Sequence, residues 1–179
     1  MSKPQVSIVM GSESDLDVMR EGAKILSHFG VPHEVQVLSA HRSPERVAKF
    51  SKELRKRGVE VVIAGAGGAA HLAGAIAANT TIPVIGVPMN SALNGLDSLL
   101  STVQMPSGVP VATVSIGKSG AMNAAILAVQ ILALRSKALQ AKLSQHKVEL
   151  SRSVTEKNKR LKRAPRNWLK GREIPRGVS

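Results

Sequence analysis

Short uninterrupted runs of apolar residues, separated by stretches with helical spacing, are the feature that most constrains this fold. Five runs have the length of β-strands, at residues 6–10, 35–38, 59–64, 84–87 and 109–114. Helical patterns lie between them, at residues 15–29, 44–57, 69–79 and 96–103. A strand that is apolar at every position needs cover on both faces, which is typical of parallel sheets. The order therefore predicts an α/β fold, a three-layer αβα domain around a parallel five-stranded sheet, most simply flavodoxin-like.

A long C-terminal helix is predicted after the last strand, beginning at about residue 119 to 121 and continuing to about residue 150. Its first half, through Leu134, is apolar on almost every side. Such a helix must be buried all round, so we expect a neighbouring subunit to cover it. The predicted organisation is a single α/β domain, residues 1–150, that includes this oligomerisation helix. A basic C-terminal extension of weak order, residues 151–179, follows it.

The charge is concentrated in that extension. The chain has a net charge of +13, and residues 151–179 contain ten Lys or Arg residues against two acids. Such asymmetry is compatible with a polyanion-binding module that acts through the tail, and this stays open as an alternative function. Stacking on single-stranded bases needs aromatic side chains, and the chain has only Trp168, Phe29 and Phe50. We therefore favour a solvated or subunit-contacting tail and expect no specific nucleic-acid partner.

Several classes of protein are excluded by composition. The chain has no cysteine, so disulfides, thiolate metal sites and a cysteine nucleophile are ruled out. The five histidines lack the spacing of metal ligands, and we predict no metal site. The longest apolar stretch, residues 121–134, contains Asn123 and Gln130 and is too short to cross a bilayer. With no hydrophobic leader, the pattern favours a soluble, cytoplasmic protein with no membrane partner.

Small, polar and ionisable residues follow four of the predicted strands. They occur at residues 11–15, 39–42, 65–71 and 88–91, with sequences GSESD, SAHR, GAGGAAH and PMNS. Ligands of parallel α/β sheets bind beyond the carboxyl ends of the strands, where these four segments meet. We therefore predict that the functional site lies at this edge of the sheet.

The segment after the second strand places an imidazole beside a guanidinium, at His41 and Arg42. An imidazole can exchange protons near neutral pH, and a guanidinium holds phosphate in a fixed geometry. The pair predicts proton transfer by His41 on a small phosphorylated substrate whose anion is bound by Arg42. Ser43, which precedes Pro44, is interpreted as the N-cap of the next helix rather than as a ligand.

The segment after the first strand offers hydroxyls and a carboxylate. A hydroxyl beside a helix N-terminus suits a phosphate, and a carboxylate suits ribose hydroxyls, so Ser12 and Asp15 are candidate ligands. Ser14 has a competing interpretation as the cap of the first helix, with Asp17 completing a capping box. The sequence leaves both roles of Ser14 open.

The glycine-rich segment after the third strand fits a variant of the dinucleotide fingerprint, G-x-G-x-x-A, at residues 65–70. It follows the third strand rather than the first, and no acid ends the following strand to hold a ribose. A backbone nest for a carboxylate or a small neutral molecule is the better interpretation, with Gly67 at its centre. His71 is either a buried structural histidine or a direct site residue.

These motifs together resemble class I PurE, the family of N5-carboxyaminoimidazole ribonucleotide mutases. The resemblance rests on GSESD at 11–15, SAHRSP at 39–44, AGAGGAAHL at 64–72, DSLLS at 97–101, QMP at 104–106, GVPVATV at 108–114 and GAMNA at 120–124. It covers about residues 5–140. Ala73 departs from the Pro that is usual in the family after His-Leu.

The resemblance implies a step of de novo purine biosynthesis, conversion of N5-carboxyaminoimidazole ribonucleotide to 4-carboxy-5-aminoimidazole ribonucleotide. It implies release and recapture of CO2 in a closed site, without ATP, metal, biotin or any other cofactor. His41 is then the catalytic proton carrier. The substrate-binding candidates are Ser12, Ser14, Asp15, Ser39, Arg42, Gly67 and His71.

The resemblance also implies a homo-octamer with active sites at subunit junctions. Related enzymes that carboxylate aminoimidazole ribonucleotide directly with CO2 typically have Lys where this chain has Arg42. Arg42 therefore favours the mutase, and direct carboxylation remains the alternative enzyme activity.

Overall fold

Five parallel strands form one sheet in the computed structural model, which describes residues 3–163. The strands are β1 (Val6–Met10), β2 (His33–Val37), β3 (Val61–Ala66), β4 (Val84–Pro88) and β5 (Ala112–Thr113), in the order β2-β1-β3-β4-β5. Every residue of β1 and β4 is buried, as continuous apolar runs predict, whereas β2 at the edge is partly exposed. The predicted parallel five-stranded sheet of flavodoxin-like order is confirmed.

Helices cover both faces of the sheet, which confirms the three-layer prediction. They are α1 (Leu16–Phe29), α2 (Pro44–Arg57), α3 (Leu72–Ala77), α4 (Leu96–Val103), α5 (Gly117–Ala133) and α6 (Lys137–Arg163). Helices α1 and α5 pack against each other on one face, and α2 and α3 pack on the other. A Cβ added at Gly22 of α1 would lie 2.8 Å from the carbonyl oxygen of Ala121. The missing side chain of Gly22 therefore lets α1 and α5 approach closely.

Two predicted elements are shorter than their sequence patterns. Helix α3 begins at Leu72 rather than at residue 69, because the carbonyls of Gly68 and Ala69 accept from the amides two residues on, Ala70 and His71, instead of from amides in a helical pattern. Strand β5 contains only Ala112 and Thr113, because Pro110 cannot donate to a ladder. Because α3 begins only at Leu72, the loop before it is available to line a site.

The single helix predicted from about residue 121 to residue 150 is wrong, because the chain forms two helices there. Helix α5 ends at Ala133, and the amides of Leu134, Arg135 and Ser136 bond three residues back, which tightens the last turn. Ser136 then accepts from the amide of Leu139 through its hydroxyl (3.4 Å), so it caps α6. Capping by Ser136 favours a new helix over continuation of the old one.

The C-terminal part of the described chain forms a separate compact unit. Residues 3–140 form one compact unit, and the described residues from Ala141 to Arg163 belong to a second. The second unit contains most of α6, which continues past Ser151 to Arg163, where the sequence predicted weak order. Trp168 lies outside the described residues. Within residues 3–163, no helix is long and apolar enough to cross a membrane.

Candidate functional site

A cleft of about 430 Å³ lies at the carboxyl ends of β1 and β3, where the strand order reverses. Parallel pairing sets Met10 beside Gly65, so the loops after these two strands leave the sheet side by side. The cleft is lined by Gly11, Ser12, Ser14, Asp15, Ser39, Ala40, His41, Arg42, Ala66, Gly67, Ala69, His71, Leu72 and Asn90. All the residues that the sequence identified as catalytic or substrate-binding candidates are in this set.

The two histidines of the cleft contact each other directly. His41 Nε2 lies 2.9 Å from His71 Nδ1, and the two rings meet edge to face, 85° apart. Both residues are exposed at the cleft, and Leu72 beside them is buried. The interpretation of His71 as a buried structural histidine is therefore wrong. Its ring instead supports the proton-carrying candidate His41 from the loop before α3.

The guanidinium of Arg42 is fixed by two neighbours. Its Nη2 donates to the carbonyl of Gly11 at 3.1 Å, and its Nε donates to Ser39 Oγ at 3.4 Å. Ser39 Oγ also accepts from the Arg42 amide at 3.1 Å. The hydroxyl of Ser39 thus holds Arg42, and the remaining guanidinium N–H groups can serve an anion.

Ser43 occupies the predicted cap position of α2, but its hydroxyl bonds elsewhere. Ser43 Oγ donates to the carbonyl of Ser39 at 3.0 Å and accepts from the amide of Ser39 at 3.3 Å. Its side chain forms no cap hydrogen bond with α2. Ser43 therefore closes the turn that presents His41 and Arg42, and Pro44 begins the helix.

The loop after β1 forms a short 3₁₀ turn, Glu13–Asp15, before α1 begins at Leu16. Ser12 caps this turn by accepting from the Ser14 amide at 3.4 Å. The N-cap of α1 is Asp15, without a side-chain cap bond, so the interpretation of Ser14 as the cap in a box with Asp17 is wrong. Ser14 Oγ donates to Ser12 Oγ at 2.9 Å and lies 3.4 Å from Asp15 Oδ1. Burial raises the pKa of Asp15, and hydrogen bonds from Ser14 and the Ser12 backbone oppose that shift.

Three N–H donors of the glycine-rich loop after β3 already bond to acceptors in the protein, two within the loop and one on α4. The Gly68 amide donates to Ser98 Oγ at 2.9 Å, and the Ala70 and His71 amides donate to Gly68 and Ala69 carbonyls at 2.8 Å. A backbone nest in this loop is therefore smaller than the sequence pattern indicates. The loop contributes mainly small side chains and the His71 ring to the cleft.

Sequence reasoning missed a network of side chains behind this loop. Ser98 of α4 is fully buried, and its hydroxyl lies 2.9 Å from Ser91 Oγ. Ser91 Oγ donates to Asp97 Oδ1 at 2.5 Å, and this bond lowers the pKa of Asp97. The signal in the sequence is weak, because a serine inside a short amphipathic helix is usually a solvent-facing residue.

A larger cavity, of about 600 Å³, lies away from these residues. Its walls are mainly apolar, including Ile82, Leu132 and Leu134, and an ion pair joins Glu60 to Arg135 beside it. Convergence of ionisable groups favours the smaller cleft as the functional site. Among residues 3–163, no three His, Cys, Asp or Glu side chains are grouped so that they could hold a metal ion.

Comparison with known proteins gives a consistent result. The family described as AIR carboxylase matches residues 5–153. An N5-carboxyaminoimidazole ribonucleotide mutase of Pyrococcus horikoshii is 58% identical over 160 residues, 89% of each chain. The mutase of Escherichia coli K12 is 55% identical over 141 residues, 78% of this chain and 83% of that one. A crystal structure of Treponema denticola PurE has a TM-score of 0.80 at 28% identity, covering 89% of this chain and 99% of the other.

Proposed function

The chain belongs to the AIR carboxylase family, and on that premise we propose that it converts N5-carboxyaminoimidazole ribonucleotide to 4-carboxy-5-aminoimidazole ribonucleotide. This is an isomerisation in purine biosynthesis that moves a carboxylate from an exocyclic nitrogen to a ring carbon. The observation that carries the proposal is the cleft in which His41 and Arg42 face the same space. The cleft thus brings a proton carrier and a phosphate ligand to one small substrate.

The proton balance of the reaction requires a single group that both gives and takes a proton. Cleavage of the N–CO2 bond releases CO2 and leaves an amine nitrogen that needs a proton. Attack of ring carbon four on CO2 forms the new C–C bond, and that carbon must then lose its hydrogen. We assign both transfers to His41, which ends the cycle in the protonation state in which it began.

The contact between the histidines supports this assignment. Because one hydrogen lies between His41 Nε2 and His71 Nδ1, only one of those two nitrogens carries a proton. His71 therefore couples the tautomers of the two rings, since one of the two nitrogens must donate and the other accept. A ring held in this way shortens the search for the reactive geometry.

Substrate anchoring falls to residues on the other loops of the cleft. Arg42, already held by Ser39 and Gly11, binds the phosphate through its remaining N–H groups. Asp15, with Ser12 and Ser14 beside it, accepts hydrogen bonds from the ribose hydroxyls. These contacts hold the heterocycle at the His41 ring.

Retention of CO2 requires a wall that offers little hydrogen bonding to competing water. Ala40, Ala66, Gly67 and Ala69 supply small and mainly apolar surface to the cleft. CO2 released against such a wall stays beside the carbon that recaptures it, which favours recapture over escape.

The proposal is tested by offering the purified chain two substrates in parallel. We expect rapid conversion of N5-carboxyaminoimidazole ribonucleotide and slow carboxylation of aminoimidazole ribonucleotide supplied with bicarbonate. A strong preference for the second pair would identify a direct carboxylase instead. Failure to convert either would overturn the assignment of the cleft.

We also propose a cytoplasmic homo-oligomer, an octamer by the family resemblance. Exposed apolar residues at one-face spacing on α4, Leu96, Leu100 and Val103, support association, as does exposed Met122 on α5. A phosphate ester does not cross a bilayer unaided, so we expect the chain to act in the compartment where its substrate is made. Size-exclusion chromatography with light scattering gives the assembly, and a monomer would exclude it.

A further inference from the structure

We propose that Ser98 of α4 is a positioning residue, which holds Gly68 and thereby sets the turn that aims His71 at His41. The inference rests on the proposed function, because it assigns a role in the proton-transfer site. Ser98 lies outside the cleft lining. Its effect must therefore pass through the loop before α3.

A directed chain of hydrogen bonds connects this loop to a carboxylate. Ser91 donates its one hydroxyl proton to Asp97, because an ionised carboxylate only accepts. Ser98 must then donate to Ser91 across their 2.9 Å contact, and its lone pairs accept the Gly68 amide at 2.9 Å. Each hydroxyl is both donor and acceptor, so Asp97 polarises the whole chain in one direction.

The carbonyl of Gly68 is held as well. It accepts from the Ala70 amide at 2.8 Å, and it lies 3.2 Å from Ser101 Oγ of α4, whose single hydroxyl proton it shares with the Asp97 carbonyl at 2.7 Å. The left-handed backbone of Gly68, with φ of +63°, turns the chain between these bonds. The His71 amide follows with a bond to the Ala69 carbonyl at 2.8 Å, so α4 sets the start of the His71 turn.

Another buried hydroxyl on α4 provides the contrast. Thr102 is as buried as Ser98, but its Oγ1 donates at 2.7 Å to the Ser98 carbonyl within the same helix. Loss of the Thr102 hydroxyl removes one buried hydrogen bond and loss of the Ser98 hydroxyl removes two, and of these two hydroxyls only that of Ser98 reaches the loop. Thr102→Val is therefore the matched control for Ser98→Ala.

The experiment compares these two variants of the full chain. For Ser98→Ala we expect kcat to fall roughly tenfold or more, because a small misplacement of a reacting group is costly. KM should stay within about threefold, since the phosphate and ribose ligands lie on other loops. In substrate-free protein labelled with 15N-histidine, the ring signals of His41 and His71 should move. Thr102→Val should leave kcat and these ring signals unchanged.

Three results would overturn the role of Ser98: a kcat within twofold of wild type, unmoved ring signals, or the same changes in Thr102→Val. If Ser98→Ala does not fold, Ser91→Ala at a half-buried position breaks the same chain and must give losses in the same direction. An inactive wild-type protein would instead refute the proposed function. The ring signals would still decide whether Ser98 sets the histidine pair.

Discussion

His41 Nε2 lies 2.9 Å from His71 Nδ1, and this contact joins two loops that are 30 residues apart in the sequence. The nearly perpendicular rings allow one hydrogen bond between nitrogen atoms, and both residues line the cleft. The bond fixes the tautomers of both rings together. A change at either residue should therefore affect proton transfer more than substrate binding.

Replacement of His41 by Asn should abolish most catalysis. Asn keeps a hydrogen-bonding group of similar size but cannot shuttle a proton, so we expect kcat to fall by about 10²–10⁴. The dissociation constant of a substrate-like ribonucleotide, measured by calorimetry, should change little. His28→Asn, at an exposed position on α1, is the control and should keep wild-type kcat. A His41→Asn enzyme with near-normal kcat would remove His41 from the mechanism.

Replacement of His71 by Asn should have a smaller effect that depends on His41. If His71 acts by fixing the His41 tautomer, its loss lowers kcat by roughly 10-fold to 10²-fold. The double variant should then be no slower than His41→Asn alone, because residues that act as a unit are not additive. Multiplicative losses in the double variant would mean that His71 acts independently of His41.

Replacement of Arg42 by Lys should weaken binding of the substrate phosphate. The planar fork of Arg42 bonds to Ser39 and Gly11 while it still offers N–H groups to an anion, and an ammonium cannot reproduce this geometry. We expect the dissociation constant of the ribonucleotide to rise about tenfold, equivalent to about 1.4 kcal/mol. Arg46→Lys, at an exposed position of α2, is the control. Equal affinities in Arg42→Lys and wild type would place the phosphate elsewhere.

Replacement of Asp15 by Asn should stabilise the folded chain at neutral pH. Burial raises the folded-state pKa of Asp15 above its ordinary value of 3.8. Between pH 3.8 and the folded-state pKa, Asp15 loses its proton in the unfolded chain before it does in the folded chain. Ionised Asp15 therefore lowers the free energy of unfolding. The gain from Asn should be full at pH 7 and should shrink as pH falls through the folded-state pKa towards 3.8. Denaturant melts from pH 7 to pH 4 test this, and a pH-independent gain would contradict it.

Local signals in the sequence were enough for elements that end at their own caps. Helix α2 runs from Pro44 to Arg57, as predicted, because Pro44 starts it and Gly58 ends it in a left-handed conformation. The start of α3 instead follows a turn whose first residue, Gly68, donates its amide to Ser98 of α4. A contact of that kind has no periodic signature, so the pattern extended the helix too far.

The same distinction applies to the candidate site. The sequence identified the residues that line the cleft, because the carboxyl ends of parallel strands must share one edge. It did not identify which residues bond to each other. The contact of His41 with His71 depends on the register that places Met10 beside Gly65. The hydrogen bond between Arg42 and Ser39 depends on the turn that Ser43 closes.

Deletion of residues 151–179 should leave turnover within about tenfold of the full chain, equivalent to roughly 1.4 kcal/mol in barrier. Every described residue that lines the cleft lies between Gly11 and Asn90, and the described residues from Ala141 to Arg163 belong to a separate compact unit. We therefore propose that residues 151–179 are an extension that the chemical step does not require. Steady-state kinetics of the truncated and full chains give the comparison, with light scattering to confirm equal assembly. A loss far beyond tenfold at equal assembly would give the extension a part in the reaction. Tight, salt-sensitive RNA binding that disappears on truncation would instead support the polyanion-binding alternative.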